Sequence, residues 1–252
     1  MFTRSRRLVT VRCAAAAALV VSLGFGETQS ALAAEPNIER SCARYAATGV
    51  NVAVCVRDLR IVRSATAKYR DPNVALRDGF IPAAECYKND ENSAGGVMGE
   101  HWVHRDRHAD QRLDLREPEL LLSLPTPGGG RKLVAVEWSI AALEDGMPHY
   151  GAEPPDPART SPASQMFGGR SFNGPMQGHN LLQAWPFAVH LSPGPWHYDQ
   201  HVWLWEKNPD GIFAQYNRAL SCEYEHAGLG GLLQSAPGGH TMTRGKDVGH
   251  HH

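Results

Sequence analysis

The chain has 252 residues, with 25 Lys and Arg against 26 Asp and Glu and a hydrophobic content of 42%. That length allows one large domain or two small ones with a real core, which excludes a mini-protein held only by disulfides. The balanced charge offers no cationic excess to a phosphate backbone, so a nucleic-acid partner is not expected; 25 Gly and 17 Pro point to turns and loops rather than long helices.

Arg4, Arg6, Arg7 and Arg12 precede an apolar run from Ala14 to Leu23, and Ala31-Leu32-Ala33 suits a signal peptidase. Residues 1–33 are therefore predicted to be a signal peptide, with the mature chain starting at Ala34 or Glu35. The apolar run is short of the ~20 residues of a membrane helix, so no stable membrane span is expected after its removal. Ser5-Arg6-Arg7-Leu8 resembles a twin-arginine export signal. The expected location is outside the cytoplasm, periplasmic or extracellular, and losing four arginines and Glu27 leaves the mature chain mildly acidic.

Cys13 leaves with the signal, and Cys42, Cys55, Cys86 and Cys222 remain, an even number suited to an oxidising compartment. Of the three pairings, Cys42–Cys55 with Cys86–Cys222 is favoured: the first closes a short loop and the second ties the helical opening to the last strand. No C-x-x-C spacing points to a cysteine metal site.

Residues 34–222 read as one α+β domain, with N-terminal helices and a mainly antiparallel β-sheet or partly closed barrel. Asn37 to Ala47 and Arg60 to Tyr69 have helical composition. Asp71-Pro72 reads as an N-cap with proline at the first helical position, and Gly79 as the stop. Strands are predicted over Met98–His104, Leu120–Leu124 and Leu133–Trp138, the last two joined as a hairpin through Pro125–Gly130. Residues 141–185 are Pro- and Gly-rich without a period and are expected to form a long functional loop. Phe187–Leu191 and Asp199–Glu206 supply two more strands, Asn208–Gly211 a turn, and residues 223–252 a disordered tail.

All 13 histidines lie at or after residue 101. Neutral imidazoles with a carboxylate are a common way for an exported enzyme to hold a metal. Strand parity puts His101 with Gly99 and Val103, and Glu137 with Leu133 and Ala135. His197, Asp199 and His201 share a face that continues to Trp203 and Trp205 if the segment is extended. Residues four apart on a straight strand are about 13 Å apart, so His197 and His201 meet on one ion only if the chain bends, for which Ser192-Pro193-Gly194-Pro195 provides a place. The candidate set is one divalent metal, zinc, iron, manganese or copper, held by His101, Glu137, His197 and His201, with Glu137 as fourth ligand or general base. The alternative is that these histidines only hydrogen-bond buried carboxylates and backbone groups in an aromatic core.

Other features carry less. His104-Arg105-Asp106-Arg107-His108 reads as a solvated charge run between strands. Gly128–Gly130 is a hairpin turn and not a phosphate cradle, since no helix with Lys-Ser/Thr follows. Glu117, Glu119, Glu137 and Glu144 have no spacing that selects a glycosidase pair.

Met98-Gly99-Glu100-His101, Pro118–Leu121, Val136-Glu137-Trp138 and the block His197–Trp205 with Asn208–Phe213 resemble a family of uncharacterised exported bacterial proteins, over about Ala65 to Cys222. The resemblance implies an exported location and a recurring layout, without an activity. A fainter similarity is to cupins, metal-binding β-barrels: Pro193–His197 resembles their second motif, and His101 with Glu137 stands for parts of the first, whose His-x-His pair is absent here. The functional expectation is an exported protein with a metal ion that activates water or dioxygen. The competing class is a non-catalytic secreted or envelope binding protein that presents a Trp-lined sheet face to an unknown small molecule.

Overall fold

The structure is a computed structural model describing residues 35–83, 86–89, 95–177 and 195–223, all within one compact unit. The opening is helical. α1 (Ile38–Ala43) is capped by Asn37, whose side chain accepts from the Arg40 N–H at 2.8 Å, and α2 (Val52–Thr66) by Asn51, which accepts from Val54. The composition places the second helix from Arg60, but it begins at Val52. Val52-Ala53-Val54-Cys55-Val56 is rich in β-branched residues and looks strand-like. The deciding signal is the helical spacing of Cys55, Leu59, Val62 and Thr66, all buried. A 3-10 turn, Ala67–Arg70, leads to α3 (Pro72–Arg77), which has the expected Asp71 cap and ends at Gly79 with φ +99°. The Cys42–Cys55 disulfide staples α1 to α2.

The strands follow as β1 (Phe80–Pro82), β2 (Tyr87–Lys88) and β3 (Val97–His104), then the short helix α4 (Arg105–Asp110), β4 (Leu120–Pro125) and β5 (Arg131–Ala141). Next come β6 (Leu143–Glu144), β7 (Met147–Pro148), β8 (Gln165–Met166), β9 (Arg170–Ser171), β10 (Asn173–Gln177) and β11 (Trp196–Val202). Among the described residues one seven-stranded sheet runs β1-β3-β4-β5-β11-β10, with β2 also on β3. Every pairing in it is antiparallel. The fold is α+β with an open sheet; among the described residues β1 and β10 are its edges and no pairing closes a barrel.

Several boundaries move. Within the predicted long loop, β6–β7 and β8–β9 are two-residue hairpins and β10 joins the sheet; strands this short have no period to read. The strand expected from Asp199 starts at Trp196 and stops at Val202, where the chain turns and the Trp205 N–H donates to the Val134 carbonyl at 3.2 Å. The expected strand at Phe187–Leu191, the signal peptide and all of the tail but Glu223 lie outside the described residues.

The two faces of the sheet differ. One packs Trp102, Leu121, Val136, Trp138, Tyr198 and Val202 against Cys55, Leu59 and Val62 of the helices, with Phe80, Phe167 and Phe213 filling the same core. Each fully buried large side chain of this kind contributes roughly 1.5–3 kcal/mol. The opposite face holds a smaller apolar group, Leu122, Leu124, Val134, Ala135 and Trp203, tied down by the Cys86–Cys222 disulfide. The two faces are brought into phase by a bulge in β5: Leu122 pairs with Ala135 and Ser123 with Leu133, leaving Val134 as the extra residue. Leu133 thereby joins the helical core instead of sharing the face of Ala135 and Glu137. Both disulfides are the favoured pairing and fit an oxidising, exported location, and no described helix is long and apolar enough to cross a membrane.

Candidate metal centre

The antiparallel register places His201 of β11 directly opposite Glu137 of β5, and Glu137 opposite Leu120 of β4. His101 sits one strand further on, opposite Leu122. β3 and β5 are two strand spacings apart, about 9.6 Å, and the imidazole and the glutamate each reach across β4 over Leu120 and Leu122. The result is that His101, Glu137 and His201 each present a ligand-type atom within 4.8 Å of the others. All three are buried, with 2%, 3% and 0% of their surfaces exposed.

The contacts are not those of a finished hydrogen-bond network. Nε2 of His101 lies 3.4 Å and Nε2 of His201 3.5 Å from the same Glu137 Oε2. Charge-assisted hydrogen bonds are shorter, about 2.7–2.9 Å. Among the described residues Glu137 Oε2, His101 Nδ1 and both ring nitrogens of His201 are buried without a hydrogen-bond partner, and each such atom is costly to leave unmatched. An ion bound at about 2.0–2.1 Å in tetrahedral geometry separates its ligand atoms by about 3.3 Å. The two imidazole-to-carboxylate edges match that separation. The donor set, two imidazoles and a carboxylate, fits a divalent transition metal with positions left open.

The electrostatics point the same way. Burial pushes the Glu137 carboxyl up, but the facing imidazoles of His201, His101 and His197 outweigh it and hold the group at about 2. A cation favours the ionised carboxylate here. Asp199 stands behind His201, its Oδ2 3.6 Å from His201 Nδ1 and its Oδ1 accepting from Asn173 at 3.4 Å. Burial raises its pKa against the pull of His201. A carboxylate on the far nitrogen of a ligating imidazole is the usual orienting partner.

His197 is placed differently. β11 stays extended from Trp196 to Val202, without a bend at His197, which lies opposite Ala141. It shares the face and the field of Glu137 but is not one of the converging three. Burial lowers its pKa and favours the neutral ring.

Two further groups border this face. The run His104 to His108 is only partly solvated: it forms α4 with Asp106 exposed, while His104 caps the helix and His108 is half-buried, burial lowering its pKa and its Nδ1 lying buried without a hydrogen-bond partner among the described residues. The four-residue spacing of His104 and His108, one helical turn, was the available signal. Glu119 is 1% exposed, and burial holds its carboxyl at about 9 although Oε2 accepts from the Ser139 N–H at 3.3 Å. Its place beside the wholly buried Leu120–Leu122 marked it as a buried acid. The tryptophans, by contrast, are structural. Trp102, Trp138 and Trp205 belong to the main core and Trp203 to the smaller one, and the indole N–H groups of Trp138, Trp196 and Trp203 donate to backbone carbonyls. Among the described residues the tryptophans form no shared open face, and Trp205 borders a cleft together with Arg63 and Arg70.

Comparison with protein-family models, with curated proteins and with solved structures gives no match.

Proposed function

We propose that His101, Glu137 and His201 hold one divalent metal ion, and that the protein is an exported enzyme activating water or dioxygen at that ion. One observation carries this reading: two imidazole nitrogens aim at a single carboxylate oxygen in a buried setting, at ligand-to-ligand rather than hydrogen-bond separations. Three protein ligands leave coordination positions open, the arrangement of catalytic rather than structural sites. The ion supplies Lewis acidity toward water or an electron source for dioxygen. Asp199 is placed to orient His201, and a bound cation would favour the ionised form of Glu137. His197 is assigned to the outer ring of imidazoles rather than to the ligand set, because the straight strand holds it beside Ala141.

The paired arginines Arg6 and Arg7 support export through the twin-arginine route, which carries proteins already folded and so allows the metal to be loaded first. The resemblance to uncharacterised exported bacterial proteins agrees with that location.

The test is metal analysis of the full chain with His250, His251 and His252 changed to alanine, so that the tail cannot bind metal itself. One equivalent of metal is expected in this parent and less than about a tenth of that in His101→Ala, Glu137→Ala and His201→Ala. A parent that binds no metal, or variants that keep it, overturns the reading.

A further inference from the structure

At the end of β5 and β11 the sheet borders a cleft of about 600 Å³, walled by Ile140 and Tyr198 from the helix-packed face and by Ala141 from the metal-facing one. Small-molecule sites span roughly 300–1,000 Å³. Its walls come from α4, the end of β5, the β6–β7 hairpin, residues 161–164 and Pro195 at the foot of β11. Ala141 in this wall is the cross-strand neighbour of His197, and Glu137 lies four residues along the same strand, about 13 Å away. His108, also in the wall, is within electrostatic reach of Glu137 and His197.

Three observations describe what fits. Among the described residues the lining contains no Lys, Arg, Asp or Glu, so a charged molecule would lose its hydration without gaining a counter-charge there. Most of the polar groups are already engaged. Gln111 accepts from the Ala141 N–H and donates to the His108 carbonyl, the Tyr198 hydroxyl donates to the Ser161 carbonyl, and the Ser161 hydroxyl accepts from Leu143. His108 Nδ1 is buried and without a hydrogen-bond partner among the described residues. Finally, Tyr150, one of the large apolar side chains left exposed among the described residues, stands in this lining. Ligand clefts are lined mainly by apolar and aromatic side chains of this kind.

We propose that this cleft binds a small, neutral, mostly apolar molecule with one hydrogen-bonding group, met by the His108 imidazole in its wall, and that it is the substrate site of the metal centre. The second half rests on the metal reading; the first does not. The probes are N-phenyl-1-naphthylamine, which is neutral, and 8-anilinonaphthalene-1-sulfonate, the same ring system with a negative charge. Fluorescence titration of the full chain is expected to show the neutral probe binding about tenfold or more tighter than the anionic one. Ser164→Trp, which fills the cleft, should weaken the neutral probe about tenfold. Tyr150→Ala, at an exposed position that leaves the core untouched, should weaken it about fivefold. Cobalt in the metal centre should quench the bound probe. Equal binding of the two probes, or neutral-probe binding unchanged in Tyr150→Ala and in a folded Ser164→Trp, overturns the cleft assignment. Bound cobalt that leaves the probe unquenched overturns the link to the metal centre. A chain that takes up no cobalt refutes the metal reading while leaving the titrations as the test of the cleft.

Discussion

Glu137→Gln keeps the size and shape of the side chain and removes its charge, and the structure sets the sign of the outcome. The comparison is made at pH 8, where imidazole is in its neutral, metal-ligating form. Without metal, the wild-type chain then holds a buried carboxylate that, among the described residues, only the imidazoles can neutralise, through contacts of 3.4 and 3.5 Å that lack hydrogen-bond geometry. Relieving that desolvation is expected to stabilise the metal-free protein by about 1–2 kcal/mol. For a domain of this size each kcal/mol is about 2–4 °C, so Glu137→Gln should melt about 2–8 °C higher than wild type in a chelator. Zinc at about 100 times its Kd adds about 2.7 kcal/mol to a chain that binds it, or about 5–11 °C. Wild type should gain that shift and Glu137→Gln less than about 2 °C of it. Calorimetry with and without zinc, in the background lacking His250 to His252, reads both numbers. If the three side chains were a structural ion network, the substitution would instead cost about 3–5 kcal/mol in chelator, and zinc would move neither protein; that pattern refutes the reasoning.

Asp199→Asn should weaken zinc binding about 10- to 100-fold by loosening His201, measured by competition with a chromophoric chelator; unchanged affinity would remove Asp199 from the site. Glu119 keeps a proton in the folded state up to about pH 9, whereas the unfolded chain releases it near about pH 4.3. Its contribution is therefore full below the lower value and is lost as pH rises toward the upper one, at about 1.4 kcal/mol per unit at most. Urea titrations between about pH 5 and 8 should show a shallower decline in Glu119→Gln; parallel slopes would contradict the burial argument. Arg131 and Glu100 form an ion pair with both side chains fully buried, so Arg131→Met should cost about 3–5 kcal/mol and Arg131→Met with Glu100→Leu much less. Chemical denaturation of the single and double variants checks this.

The legible parts were those with a local cause. Asp71-Pro72 declares its helix because proline fits the first turn, and Leu120–Trp138 declares its hairpin because a Gly-rich turn separates two apolar runs. Period-two alternation put His101, Glu137 and His201 on candidate faces, and the ~13 Å spacing argument already set His197 against His201. What a single chain does not reveal is which strands adjoin. The order β3-β4-β5-β11, which turns three distant side chains into neighbours, is a non-local property of the packed sheet. Helix α2 was read too short because β-branched residues masked its period, and His108 was read as solvent-facing because its charged neighbours hid a helical turn.

The extra residue Val134 decides which side chains meet. Were β5 to alternate without interruption, Arg131 and Leu133 would point the same way as Glu137. The bulge reverses them, sending Leu133 into the helical core and letting Arg131 find Glu100. On the other side its guanidinium would stand on the metal-facing side of the sheet, about 20 Å along β5 from Glu137, a fixed cation sharing a water-poor surface with the exchangeable one. The extra position in β5 thus keeps the receptive side of the sheet clear of a buried guanidinium.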